Sequence, residues 1–160
     1  MDLQILGLKG EIISVSETLN QINSFKKDSE IIQLLNADAV AGKCHIEHGV
    51  NQAFLAFERS ENLANDLSVE ICLRCSAQRQ ISKAFDLLGL KEGKMNLCAV
   101  LIDCDDYTSE LSSLFELNYD VLCPDVEKLK EIYSISDAEL SIMDVEDILI
   151  DRISKLIVDY

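Results

Sequence analysis

Tryptophan is absent, proline occurs once, at Pro124, and there are only six glycines, so the chain is neither a low-complexity segment nor a fibrous repeat. No stretch is rich in Pro, Gly or Ser and no period recurs, which leaves no linker to divide residues 1–160 and predicts a single domain. Long hydrophobic runs are also missing. The longest uncharged apolar stretch, Leu97 to Ile102, is far short of the roughly 20 residues that span a bilayer. The Met1-Asp2 start lacks the basic-then-apolar pattern of a signal peptide, so the expectation is a soluble protein that stays where it is made, with no membrane partner. Basic residues are scarce: 14 Lys and Arg stand against 29 Asp and Glu, a net charge of −15, which argues against a broad nucleic-acid face.

What is present points to an ordinary globular fold. Hydrophobic residues make up 48% of the 160, enough to bury a sizeable core without disulfide or metal. The six cysteines, with no export signal, read as free thiols in a reducing compartment, the cytoplasm being the expected location. Charge is unevenly spread: residues 36–94 carry seven bases and eight acids, whereas residues 95–160 carry four and 16. The acidic end is a solvated surface or an acidic docking face.

Along the chain, Leu3 to Leu8 suits a strand. Residues 16–35 read two ways, with Leu19, Ile22 and Phe25 at helical spacing and Ile31 to Leu35 as a buried strand. Ile46, Val50, Ala53, Phe54 and Phe57 then form the apolar stripe of a long helix. Val69, Ile71, Leu73 and Cys75 alternate with Glu70, Cys72, Arg74 and Ser76, which predicts a half-buried strand. A helix follows, with Ile81, Ala84, Phe85 and Leu88 inward and Gly89 as a left-handed stop. Met95 to Ile102 is another strand, and short helices lead to a last one from about Asp144 to Tyr160. The expected class is α/β, a small mixed β-sheet packed with helices.

Two constellations carry chemistry. Cys72 and Cys75, with Cys44, His45 and His48 upstream, have thiolate and imidazole types that suit a zinc site or a thiol nucleophile. In a strand, however, Cys72 and Cys75 point to opposite faces, so buried free thiols and no metal are expected. The second constellation is electrostatic. Helix starts ordinarily carry acids, yet Gly42-Lys43-Cys44-His45, with His48 one turn on, and Ser76-Ala77-Gln78-Arg79-Gln80, with Arg74 before it, are basic in an acid-rich chain. Two such starts look like a prepared anion site; the plainer reading is that Lys43 and Arg79 reach into water.

Here the residues resemble a known family, the KEOPS (EKC) complex subunit related to TPRKB, the PRPK-binding protein. The resemblance rests on Leu35 to Ala41, on His45, His48, Asn51, Ala53 and Phe57, and above all on Glu70 to Ile81 followed by Ala84 and Gly89. It covers residues 31 to about 102 well and the last helix loosely. The chain departs in carrying Ala77 where the family pattern expects Gly. The resemblance implies a non-catalytic subunit without cofactor. It would bind the small kinase-like ATPase of the complex, and through it the threonylcarbamoyl transferase that modifies adenosine 37 of tRNA. It also implies a role in holding the single-stranded CCA end of tRNA, for which the candidates are Asn36, Lys43, His45, His48, Arg74, Ser76, Gln78, Arg79 and Gln80. A single-stranded end needs only a small site. With no Trp and with Phe54, Phe57 and Phe85 on core stripes, stacking falls to Arg74, Arg79 or a His ring.

The kinase contact is expected on the final helix. Ile142, Val145, Leu149, Ile150, Ile153, Leu156, Ile157 and Tyr160 span an arc of about 140 degrees, wider than one core stripe requires. Ile148 and Val158 lie outside that arc and are the candidate exposed contacts, with Ile153 and Leu156 beside them. The competing reading from another class is a zinc- or thiol-dependent enzyme using Cys44, His45, His48, Cys72 and Cys75.

Overall fold

A computed structural model describes residues 1–156. Strand β1, Leu3–Ile12, opens the chain. Helix α1, Val15–Phe25, follows with Ser14 as its N-cap, the hydroxyl accepting from the backbone N–H of Glu17. The ambiguous stretch thus resolves into α1 and then strand β2, Ile31–Asn36. A 3₁₀ turn, Ala37–Ala39, leads into α2, Lys43–Glu58. The chain continues through α3, Leu67–Ser76, and α4, Ile81–Leu88, into strand β3, Gly93–Ile102. The acidic third of the chain holds α5, Thr108–Leu114, the two-residue strand β4, Glu116–Leu117, and a 3₁₀ turn at Tyr119–Leu122. It ends in α6, Val126–Tyr133, α7, Asp137–Leu140, and α8, Val145–Lys155.

The sheet runs β2-β3-β1-β4, and every pairing in it is antiparallel where a mixed sheet was expected. Period-2 alternation divides its side chains between two cores. Cys98, Val100 and Ile102 of β3, with Ile5 and Leu35, pack under α2, α3, α4, α6 and α8. Leu97, Ala99 and Leu101, with Leu6, Leu8 and Leu34, face Ile22 of α1 and Leu111 of α5. Strand β3 is therefore apolar at every position from Leu97 to Ile102, all essentially without solvent exposure. Each fully buried Leu or Ile there contributes about 1.5 to 3 kcal/mol.

The segment Val69 to Cys75 is not a strand but the middle of α3, and all of Glu70 to Ser76 is buried. Its alternation misleads because Glu70 and Arg74, the polar members, are neutralised by one another rather than turned to water. A helix buried on all sides has no polar face to set a period. Cys72 and Cys75 lie three residues apart on that helix, so they are not separated to opposite faces as a strand would require. Gly49 of α2 lets α3 approach closely, since a Cβ there would sit 2.9 Å from the Cα of Cys75. At the end of α4 Gly89 is extended, at φ −72°, and not left-handed. The left-handed cap falls instead on Ala77, at φ 54° and ψ 37°, which ends α3.

Candidate functional site

The two basic helix starts come out differently. At α2 the N-cap is Gly42, whose φ of 125° belongs to glycine, and no side chain of the turn itself caps the helix. The carboxylate of Glu146, in the first turn of α8, fills the position. Its Oε2 accepts the backbone N–H of His45 at 3.2 Å, and a Cβ on Gly42 would collide with the same carboxylate. The positive end of α2 is thus neutralised from within the chain, the placement favoured for an acid at a helix N-terminus. Lys43, exposed beside it, holds its Nζ 5.6 Å from the centroid of the Tyr119 ring, within cation–π range.

His45 is completely buried. Its Nδ1 accepts the backbone N–H of Ala41 at 3.0 Å, so Nε2 carries the proton and donates to the carbonyl of Cys75 at 2.6 Å. Burial dominates its ionisation and lowers its pKa to about 4, against the raising effect of the Cys75 carbonyl. His45 is a structural clamp between α2 and α3, and the expectation that it contacts a ligand is corrected. Arg74 is corrected for the same reason. Its Nε donates to Glu70 Oε2 at 2.7 Å with both side chains almost wholly buried, and the other Glu70 oxygen accepts the backbone N–H groups of Leu63 and Ala64. Ser76 is buried too, its hydroxyl donating to the carbonyl of Leu73.

The thiols sort with the core. Burial pushes the Cys72 and Cys98 thiols up to about 12, and that of Cys75 well above its ordinary value, so the thiolate that a nucleophile needs is suppressed. Among the described residues no three His, Cys, Asp or Glu side chains gather as a metal-ligand set. Cys44 is exposed on α2.

The remaining candidates lie at or near the surface. Arg79 and Gln80 are exposed in the turn between α3 and α4, and Gln78 is half-buried with its amide donating to the carbonyl of Ser76 at 3.4 Å. Gln80 stands at the N-cap of α4 without a side-chain cap, and no acid occupies the first turn, so this start keeps the unfilled character that α2 loses to Glu146. Arg79 donates to the carbonyl of Leu156 at 3.0 Å, just past α8. His48, half-buried with its pKa lowered by desolvation, reaches the same end of α8: Ser154 Oγ donates to the carbonyl of Ile150, so His48 Nε2 donates to Ser154 Oγ at 2.8 Å. His48 and Arg79 therefore each bond the C-terminal end of α8, at Ser154 and Leu156, whereas Lys43 stands with Tyr119. Asn36 ends β2; its amide carbonyl accepts from Asp38 and its amide N–H donates to the carbonyl of Leu87.

The sequence reading missed two aromatic surfaces. Phe85 is 41% exposed rather than on the core stripe, and Tyr119 is 48% exposed. On α8, Ile148 is 2% exposed and Ile153 fully buried, because α8 packs against α2 and α3 with a broader face than its arc of 140 degrees suggests; Ile148 is therefore corrected as an exposed contact. Leu156 is buried, and Val158 lies outside the described residues. Ile142, 83% exposed, and Met143 sit in the turn just before the N-cap of α8, Asp144.

A family model described as "Kinase binding protein CGI-121" matches residues 11–155. A protein of Methanocaldococcus jannaschii called "Regulatory protein Cgi121" is 32% identical over 129 residues, 78% of this chain and 70% of that relative. No described helix is long and apolar enough to cross a membrane.

Proposed function

Since the chain belongs to the CGI-121 family of kinase-binding proteins, we propose that it is a non-catalytic subunit of the cytoplasmic KEOPS complex, one that binds the small kinase-like ATPase and helps hold the CCA end of tRNA. Family membership over nearly the whole chain is the observation that carries this reading. Through the kinase subunit the protein reaches the threonylcarbamoyl transferase that acts on adenosine 37.

Within that reading the RNA contact narrows to the turn between α3 and α4. Arg79 supplies a guanidinium that can stack on a base or pair with a phosphate, Gln78 and Gln80 supply amide edges, and His48 stands beside the end of α8 that Arg79 also touches. Asn36 and Lys43 stay in the proposal as outlying contacts; His45, Arg74 and Ser76 act only by shaping the backbone. The kinase contact is proposed for the exposed Ile142 and Met143 and the end of α8, with Ile153 and Leu156 as its buried support; Val158, outside the described residues, stays in the proposal from the sequence alone. The thiol-enzyme alternative is the weaker reading because Cys72 and Cys75 are buried with raised pKa values and His45 spends both ring nitrogens.

The test is direct. Purified protein is mixed with the kinase subunit, and separately with intact tRNA and tRNA lacking CCA. The reading stands if the kinase binds and if CCA removal weakens the RNA complex; equal binding of both tRNAs refutes the RNA half alone.

A further inference from the structure

The outermost strand of the sheet, β2, has β3 on one side and, among the described residues, no strand on the other. Its residues, Ile31-Ile32-Gln33-Leu34-Leu35-Asn36, include no charge, proline or glycine. An edge strand of this composition is a ready template for pairing, and proteins ordinarily blunt such edges with lysine, proline, a bulge or extreme shortness. The opposite edge, β4, follows that rule with two residues, one of them Glu116. Strand β2 does not.

Its two ends are partly covered. Cys104 Sγ donates to the carbonyl of Ile31 at 3.3 Å, and Leu34 and Leu35 are buried. Ile31, Ile32 and Gln33 remain only half-buried. Beside them lies a cavity of about 300 Å³ whose walls come from both faces of the sheet: Val15 and Leu19 of α1 on one side, Phe85 and Leu88 of α4 on the other, with Ile32 and Gln33 at its floor. Leu19 and Phe85, at 44% and 41% exposure, form its lips. A groove walled from both faces opens onto the strand edge itself. It fits a chain laid beside β2 whose successive side chains alternate between the Leu19 wall and the Phe85 wall.

From this we propose that the Ile31–Gln33 edge receives an extended, net-positive segment of another protein, added to the sheet as a further strand whose successive apolar side chains enter the two walls and whose basic residues flank them. The acidic stretch after β3, with Asp103, Asp105 and Asp106, lies at the Ile31 end of this edge, where Ile31 pairs with Ile102, and in a chain at −15 it favours a basic segment over a second copy. The apolar walls give a sugar-phosphate backbone nothing to pair with. The proposal does not rest on the kinase or tRNA reading, and its test involves neither.

Full-length protein is titrated with a short blocked peptide of consecutive valines flanked by lysines, with its glutamate-flanked counterpart, and with the lysine-flanked peptide interrupted by a central proline. Binding is followed by fluorescence anisotropy, and amide hydrogen exchange is followed across β2. The lysine peptide is expected to bind and to slow exchange at Ile31 to Gln33. The glutamate and proline peptides, and the Leu19→Ser/Phe85→Ser protein, are each expected to bind about tenfold more weakly. Both substituted side chains are exposed, and circular dichroism confirms that the variant is folded. Equal binding of the three peptides, unchanged exchange at β2, or undiminished binding by the variant overturns the proposal. Self-association that protects β2 without peptide also overturns it, assigning the edge to a second copy.

Discussion

Glu70 and Arg74 face one another one turn apart on α3, Oε2 to Nε 2.7 Å, and neither reaches solvent. Removing Arg74 leaves Glu70 charged in the core, so Arg74→Ala is expected to cost about 3 to 5 kcal/mol of stability in urea unfolding. Adding Glu70→Met should recover only part of that loss, because the backbone N–H groups of Leu63 and Ala64 then lose their acceptor. A loss below about 1 kcal/mol for Arg74→Ala alone would mean that water reaches the pair.

His45 gives the fold a pH signature. Its pKa is 6.5 in an ordinary environment and about 4 in the folded chain, so the unfolded state takes up the extra proton. Its contribution is complete above about pH 6.5 and is lost as pH falls towards 4, by about 3 kcal/mol in all. Unfolding free energies measured across that window should fall less steeply for His45→Gln than for the native chain. Parallel profiles would show that another group governs the window.

Ala77 holds a left-handed conformation that costs a non-glycine residue about 1 to 2 kcal/mol. Glycine returns part of that through its freer unfolded chain, so Ala77→Gly should raise stability by about 0.5 to 1 kcal/mol. Thermal unfolding measures it; a lower midpoint would mean that the Ala77 methyl packs better than its strain costs.

Under the proposed RNA role, Arg79→Ala should cost about 1 to 3 kcal/mol of binding to intact tRNA. Its stability should change by less than about 1 kcal/mol, since the side chain is exposed and its bond to the Leu156 carbonyl lies at a helix end. Removing CCA should weaken the native protein equally, and the two losses should not add. Log affinity should fall with log salt at a slope of about −1 to −2. Full additivity would place Arg79 away from the CCA end.

Ile142→Asp and Ile148→Asp separate surface from core on the kinase side. Ile148 is buried between α8 and the sheet-facing helices, so its substitution should unfold the domain. Ile142 is exposed, and its substitution should leave the melting temperature in place while weakening capture of the kinase subunit by about tenfold. Unchanged capture by the folded Ile142→Asp variant would move the contact elsewhere.

Helices α2 and α4 were legible because their apolar residues recur at helical spacing, and strand β3 because its apolar run is unbroken. Helix α3 was not, because an internally paired Glu70 and Arg74 look like solvent-facing residues when only the order of residue types is known. The candidate site shows the same limit. Lys43 and His45 mark a helix start correctly, but the acid that fills it, Glu146, is 101 residues further along, and no local pattern announces it. At Gln78 to Gln80 the polar turn between two helices was legible, but the reach of Arg79 to the Leu156 carbonyl, 77 residues on, was not.

The order of strands in the sheet has a consequence for synthesis. Strand β1 is made first yet lies between β3 and β4, pairing Leu3 with Ile102 and Leu8 with Leu117. At about 5 to 20 residues per second, a ribosome needs about 5 to 20 seconds after finishing β1 to release the strand that covers it. For that interval Ile5, Leu6 and Leu8 lack the strand that buries them, so the emerging chain exposes an apolar ribbon open to aggregation until β3 is released.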